Sequence, residues 1–471
     1  MIDRKSPSSP VAIIGGGATG AAIAYHFLNR RTAVSGPVLI FEARARIGAG
    51  LAYGSHDPQH RINVPAAKMS IDTGRPLDFQ EWIDCDRLLA QDPDALAPSG
   101  GLFPARRVFG RYLADRIEPW LRSEAALHVR ARVVSIQKDG DLWRIGTDDG
   151  IFFQAARVVI ATTHPVPSLP TPLRPVSHDP RIVIDPWSHT WLDSVAPDAR
   201  IAIIGSGLTM ADVVASLTAR GHRGLIIAIS RRGLRSQSHA KAEVEAHGDF
   251  STTPARSARA LLRNVRCVLA DDPARPWQAT FDALRRQGRA IWSALPPVER
   301  KRLVRHLRPF WDVHRFRIAP QVETTLSQRI ASGTLRIQAA RVESASATAS
   351  AISLNLRARG GAVRHVDCDL VINTTGPDHA GILAQQPFLA GLARDGLIER
   401  DPLGLGLHTD EHHRAIVADH PVPGLFIAGP LSRGTFGELM GLPEVTANAQ
   451  SVAATLAADV SASKTRERET L

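Results

Sequence analysis

Apolar residues along this chain form two kinds of run. Short unbroken runs at 11–14, 38–41, 158–160, 201–204, 225–229, 370–372 and 424–428 have the length and lack of alternation of parallel strands covered on both faces. Alternating runs at 132–137, 142–147 and 151–154 are separated by Asp139-Gly140 and Asp149-Gly150, which predicts a three-stranded meander feeding the buried run at 158–160. The second half repeats this with 351–357, a turn at Gly360-Gly361, 362–368, and then 370–372. Each meander is expected to cover one face of a parallel sheet. Helical periodicity marks 257–269, 277–295 and 297–307, punctuated by Pro273, Pro276, Pro296, Pro297 and Pro309, and places a helical insertion at about 235–330.

The junctions after two of the unbroken runs carry the chemistry. Gly15-Gly16-Gly17-Ala18-Thr19-Gly20 follows the run at 11–14, and Gly205-Ser206-Gly207-Leu208-Thr209-Met210-Ala211 follows the run at 201–204. Gly15 permits the tight exit from the strand, Gly17 lets backbone amides approach a pyrophosphate, and Gly20 lets the helix pack close to the strand. The next strand ends in Glu42, a carboxylate placed to accept from both ribose hydroxyls of an adenosine and to repel a 2'-phosphate. FAD or NAD fits there.

The second turn has Met210 where the first has Gly20, a looser version with the helix further from the strand. Its partner strand ends in Ser230-Arg231-Arg232, cations that would pair with a 2'-phosphate. NADPH is favoured over NADH, with Gly205, Ser206, Gly207, Ala211, Arg231 and Arg232 as the contacts. The fold class is therefore α/β: two Rossmann-like dinucleotide-binding domains, each with a three-stranded β-meander, plus the insertion. The predicted layout is a first part of the FAD domain over 1–165, a proline-rich linker over 166–200, the NAD(P) domain over 201–376, a return to the FAD domain over 377–460, and a disordered tail at 461–471.

Composition narrows the reading. A chain of 471 residues is long enough for two to three domains. The first turn starts by Gly15, which leaves no room for a leader ahead of it, and no apolar run approaches the length of a membrane span; a soluble, cytoplasmic enzyme is expected. The formal charge is +11, and only six of the 57 basic residues are lysines. The arginines are scattered and aromatics make up 5%, so two anionic cofactors and an anionic small substrate are expected as partners, and nucleic acid is not. Cys85, Cys267 and Cys368 are far apart and cannot form the close thiol pair that a disulfide reductase of this architecture needs. The cluster His408, Asp410, Glu411, His412 and His413 has no third-element partner, and no metal is expected. Glu444, beside Pro443 in the first turn of the last predicted helix, suits a structural role at the helix dipole. The insertion is suited either to capping a substrate or to dimerisation.

Four segments carry a resemblance: Gly48-Ala49-Gly50-Leu51-Ala52-Tyr53-Gly54, Arg61 to Ser70, Trp311 to Pro320, and Gly429 to Phe436. From residue 10 to about 456 the chain resembles the bacterial FAD/NAD(P)-binding protein family, which is distantly similar to flavin-containing monooxygenases and amino-acid N-hydroxylases. The resemblance implies that Asn63 and Met69 lie along FAD and that Arg433 and Thr435 line its other side; Val134, Thr162 and Gly429 are assigned to the same site. Many members carry Trp where this chain has Gly437 and Arg where it has Thr446. Losing the indole either opens volume for a flat substrate or is compensated by Phe436 or Leu439. The expected activity is a monooxygenation in which NAD(P)H reduces FAD and O2 supplies the oxygen. Urate, a purine, is the specific substrate expected, held by His314, Arg315, Arg317 and Arg433. An amine or amino-acid N-hydroxylase, a flavin oxidoreductase serving another acceptor, and a non-catalytic redox sensor share every cofactor motif.

Overall fold

The computed structural model describes residues 9–30, 36–163, 165–188, 190–378 and 381–469. The first unit starts with β1 (Ser9–Ile14), α1 (Ala18–Asn29) and β2 (Val38–Phe41). It continues through α2 (Asp78–Trp82), α3 (Cys85–Gln91) and α4 (Arg106–Arg122) to β3 (Ala126–Val129). The meander follows as β4 (Val133–Asp139), β5 (Leu142–Thr147) and β6 (Phe152–Ile160). β1 runs parallel to both β2 and β6, and β2 parallel to β3. The unbroken apolar runs are explained by cover on both faces: Val11, Ile13 and Ile40 join the core shared with Phe27 and Phe109, while Ala12, Ile14, Leu39 and Phe41 meet Trp143 and Ile145 of the meander.

The two strands expected at 151–154 and 158–160 are one, β6. Nothing between them breaks a strand, and its two halves serve different neighbours: the first pairs antiparallel with β5, the second parallel with β1.

The second unit opens with β7 (Ile182–Val183), β8 (Ile201–Ile204), α5 (Leu208–Ala219) and β9 (Ile226–Ser230). β7 lies inside the expected linker, yet it pairs with a strand of the second sheet, so part of that segment is sheet edge. The insertion supplies α6 (Ala258–Asp271), α7 (Trp277–Arg286), α8 (Gly288–Ala294), α9 (Pro297–His306) and α10 (Arg308–Arg315). The single helix expected over 277–295 is broken at Gln287. Next come α11 (Pro320–Ala331), β10 (Leu335–Ala347), β11 (Ile352–Ala358), β12 (Val363–Cys368) and β13 (Leu370–Asn373). α11 packs beside α5 and connects parallel strands β9 and β10, so it is the sheet's crossover helix and the insertion ends before it. β10 has no counterpart among the sequence-predicted strands.

The chain then returns to the first unit through α12 (Pro387–Arg394), β14 (Arg414–Val417), β15 (His420–Ile427), α13 (Arg433–Phe436) and α14 (Leu442–Glu469). β15 joins the first sheet parallel to β6, and α14 packs along α1. α14 continues to Glu469, across most of the segment expected to be a disordered tail; residues 470 and 471 lie outside the described residues. The two units meet at a buried ion pair, Arg106 Nη2 to Asp212 Oδ2 at 2.8 Å, and at a His60 to Ser216 hydrogen bond of 3.1 Å. No helix among the described residues is long and apolar enough to cross a membrane.

Candidate functional site

Each glycine turn leaves space of a definite shape. Gly15 has φ of +104°, and a Cβ there would sit 2.8 Å from the Ala161 carbonyl oxygen, so the strand exit requires glycine. At Gly20 a Cβ would lie 1.9 Å from the Gly15 oxygen, which is the close helix-to-strand contact expected. Gly17 differs: its nearest neighbour would be Gly50 Cα at 3.6 Å. The open side of Gly17 is at the N-terminus of α1, where free amides favour an anion. The loop from Gly48 walls this space, with its amide donating to Gly16 O at 2.7 Å.

Other residues assigned to FAD border the same end of the sheet. Glu42 ends β2 and is buried, accepting from the Arg44 amide at 2.9 Å. Thr162 directly follows Ala161 at the Gly15 contact, and its buried hydroxyl has no hydrogen-bond partner, an orphan that a ligand atom would satisfy. Val134 is the bulged residue of β4, a position that re-aims a side chain. Gly429, with φ of +64°, presses on Thr19 of α1 and donates its amide to Asn448 Oδ1 at 2.8 Å. Met69 is buried in the core, and Asn63 offers its carbonyl to His239 at 2.9 Å; burial pushes the His239 imidazole down to about 4. The Thr435 hydroxyl donates to the Thr409 carbonyl at 2.8 Å.

The second turn repeats the geometry. A Cβ at Gly207 would meet nothing within 4 Å, and Gly205 has φ of +117° against Thr374. Met210 is fully buried at the position of Gly20 and Ala211 follows it in the core. Ser206 donates to Ser230 Oγ at 2.8 Å, tying the turn to the end of β9. Arg231 and Arg232 are exposed there, with the Arg232 guanidinium 5.1 Å from the centre of the Phe310 ring.

Of the four residues expected to hold the substrate, three have partners within the protein. Arg315 is buried and pairs with Glu444 at 2.9 Å. Arg317 pairs with Asp282 at 2.9 Å and lies 5.2 Å from the centre of the Trp277 ring. His314 Nδ1 lies 2.7 Å from Phe310 O, and the ring stacks on Phe281. Since that oxygen is an acceptor, Nδ1 carries the proton and donates it. These three therefore organise the insertion. Arg433 is only 6% exposed, its Nε is buried without a hydrogen-bond partner, and its side chain forms no ion pair among the described residues. Burial and the nearby Arg308 hold its guanidinium below the usual arginine value, without removing its charge at neutral pH.

Arg433 lines a cavity of about 190 Å³ built by α6 to α10 on one side and by Leu405, Arg433, Gly437 and Glu438 on the other. At Gly437 the neighbouring indole is Trp292 of α8: a Cβ at Gly437, φ +83°, would lie 2.9 Å from its ring, and its Nε1 donates to Gly434 O at 3.0 Å. Glu438 accepts from Trp311 Nε1 at 3.1 Å. Glu444 holds Arg285 of α7 as well as Arg315, which makes it the anchor between α14 and the insertion. Arg315 and Arg285 offset its burial and keep the carboxyl below the usual range.

Residues 12–165 match the FAD-NAD(P)-binding family. The first unit is thus an FAD/NAD(P)-binding domain, and the cradles at Gly17 and Gly207 fit such cofactors. Among curated proteins nothing matches. Solved structures superpose over nearly the whole chain. Ornithine hydroxylase from Pseudomonas aeruginosa has a TM-score of 0.63 at 19% identity, covering 96% of this chain and 100% of that one. Ornithine N-hydroxylase from Kutzneria, in a structure with reduced FAD, NADP+ and L-ornithine, has a TM-score of 0.60 at 17% identity, covering 96% and 99%. Thioredoxin reductase from Lactococcus lactis has a TM-score of 0.53 at 13% identity, covering 96% and 99%. The likeness establishes the two-dinucleotide flavoprotein fold.

Sequence reasoning missed Trp292, Trp311, Arg308 and Glu438. The available signal was the Leu and Trp spacing of the insertion helices, which carry more apolar surface than their own packing uses. Among the described residues no His, Cys, Asp and Glu group is arranged to hold a metal; His408 pairs with Glu399 and His413 with Ser451. Cys85 and Cys267 are exposed and unpaired, and Cys368 is buried with its thiol pushed up to about 12.

Proposed function

We propose that this chain is an FAD-dependent, NAD(P)H-driven monooxygenase that N-hydroxylates an amine-bearing small molecule, with amino acids as the substrate class. The observation that carries the reading is the cavity shared by the insertion and the α13 turn, on the unit that holds the FAD cradle. A substrate there would be held between the insertion and α13 of the FAD unit. The ornithine hydroxylases share the fold from end to end, which favours an amine over urate; both are named for an amino acid and neither for a purine, and Arg315 and Arg317, which would have held one, are committed to ion pairs. The isolated cysteines disfavour a thiol relay of the reductase kind.

The protein's tasks in this scheme are binding, orientation and exclusion of water, while FAD, when bound, supplies the redox chemistry. The amides at the start of α1 and the Glu42 carboxylate hold the first dinucleotide, and Thr162 offers a hydroxyl to it. The Gly207 amides hold the second, with Arg231 and Arg232 on a 2'-phosphate, so NADPH is the proposed donor. One oxygen atom of O2 enters the amine, the other leaves as water, and two electrons come from the nicotinamide. A cytoplasmic location goes with this supply. The test is NADPH and NADH oxidation by the FAD-loaded protein with a panel of amino acids, amines and urate, followed by product mass. A hydroxylamine product supports the reading; turnover with urate alone, or equal turnover without O2, replaces it.

A further inference from the structure

Arg433 is a buried cation that forms no ion pair among the described residues, and it faces a mostly apolar chamber on which Arg308 and Glu438 are the other charged residues. Leu284, Ile291, Leu303, Leu307, Phe281 and Trp311 supply the wall. Leaving a guanidinium in such a place is costly unless a ligand anion completes it. The three acids in range carry other hydrogen bonds: Glu438 accepts from Trp311 and from the Met440 amide at 3.1 Å each, Asp312 accepts from Arg308 at 3.3 Å, and Asp401 accepts from the amides of Leu403, Leu405 and Gly406. The chamber's volume, about 190 Å³, exceeds the ~150 Å³ of an apolar cavity that takes up benzene, so it admits an aryl or branched-alkyl body.

We infer that the cavity between the insertion and the α13 turn binds an apolar-bodied carboxylate, with its carboxylate on the Arg433 guanidinium and its hydrocarbon against the leucine and tryptophan wall. Resting on the N-hydroxylation reading, the substrate class narrows to amino acids with a bulky apolar side chain, distinct from the diamino acids that the ornithine enzymes are named for. Glu438, already accepting from Trp311 and the Met440 amide, is the one acid on the lining, and the rest of the wall disfavours a second charged amine.

Binding is measured by calorimetry on the FAD-loaded protein with 3-phenylpropionate, phenethylamine, L-phenylalanine and L-ornithine. Expected is saturable binding of 3-phenylpropionate and L-phenylalanine, at least tenfold weaker binding of phenethylamine and L-ornithine, and at least a tenfold loss for 3-phenylpropionate in Arg433→Met. Met removes the charge while keeping much of the length. Leu262→Trp, at a half-buried position lining the cavity, should weaken 3-phenylpropionate without touching the guanidinium, which guards against misfolding of the arginine variant. The inference is overturned if phenethylamine binds as well as 3-phenylpropionate, if L-ornithine is preferred, or if Arg433→Met loses FAD while still binding 3-phenylpropionate. If 3-phenylpropionate binds through Arg433 but L-phenylalanine yields no hydroxylamine with NADPH and O2, the cavity assignment stands and the N-hydroxylase reading falls.

Discussion

Glu444→Gln isolates the contact that fastens the insertion to the FAD unit. The carboxylate takes Arg285 and Arg315 from two insertion helices, and the amide keeps its shape while removing its charge. Breaking a buried pair from one side costs about 3–5 kcal/mol, because the remaining charge stays desolvated. Arg315 keeps Glu438 at 3.9 Å, and Arg285 retains some hydration with a side chain 15% exposed, so the expected loss is nearer about 2–3 kcal/mol. Urea unfolding at neutral pH, followed by tryptophan fluorescence, reads it, since Trp277, Trp292 and Trp311 all lie in the insertion. The pH dependence has a definite sign. The arginines lower the Glu444 pKa below its ordinary 4.5, so its contribution is present above that value and fades as the pH falls through the folded-state value. The gap between wild type and Glu444→Gln should therefore close in acid. Arg315→Met combined with Glu444→Gln should be no less stable than Glu444→Gln alone, because the orphaned cation is gone. A neutral-pH difference below about 0.5 kcal/mol, the level of ordinary surface substitutions, would refute the anchor.

Gly17→Val should fold normally, since the nearest atom to a new Cβ is 3.6 Å away, and should be isolated without FAD; a flavin-loaded variant with unchanged absorbance would remove the first cradle from the account. Replacing Arg231 and Arg232 with alanine should weaken NADPH by roughly tenfold, about 1.4 kcal/mol, and leave NADH unchanged; an equal loss for both would mean that these arginines do not read a 2'-phosphate. Burial holds the His413 imidazole down to about 4. Between 6.5 and 4 the unfolded chain thus binds more protons, and stability is fullest above 6.5 and declines as pH falls. His413→Asn, tolerated at its φ of 65°, should flatten that decline by up to about 3 kcal/mol; an unchanged slope would remove His413 as its source. Trp292→Ala should cost about 3–5 kcal/mol as a buried truncation and enlarge the cavity beside Gly437, read by thermal denaturation and by uptake of a larger apolar carboxylate.

The parallel strands β1, β2, β6, β8, β9, β13 and β15 and both turns, though not β3 or β7, were legible because their signals are local: unbroken apolar runs, glycines at fixed spacing, and a carboxylate or arginines at the next strand end. β10 was not, because Arg336, Gln338, Arg341 and Glu343 interrupt it; only part of its length is covered, and its outward positions are free to be polar. α11 has the same period as the insertion helices before it, and only its packing on α5 shows that it belongs to the sheet. Local pattern likewise could not sort the arginines. Arg315 and Arg433 look alike in sequence, yet the acid that neutralises Arg315 is 129 residues away, and Arg433 forms no ion pair among the described residues. The packing of Trp292 against Gly437 is a long-range contact of the same kind, made by an element inserted into the other unit.

The proposed reaction uses NAD(P)H and O2 to oxygenate an amine, and it is tested by incubating the FAD-loaded protein with NADPH, L-phenylalanine and 18O-labelled dioxygen while product mass and NADPH consumption are followed together. A hydroxylamine carrying one labelled oxygen is expected, formed in proportion to NADPH oxidised. NADPH oxidation that continues without O2, or an amino-acid and amine panel that yields no labelled product while another acceptor is reduced, would contradict it.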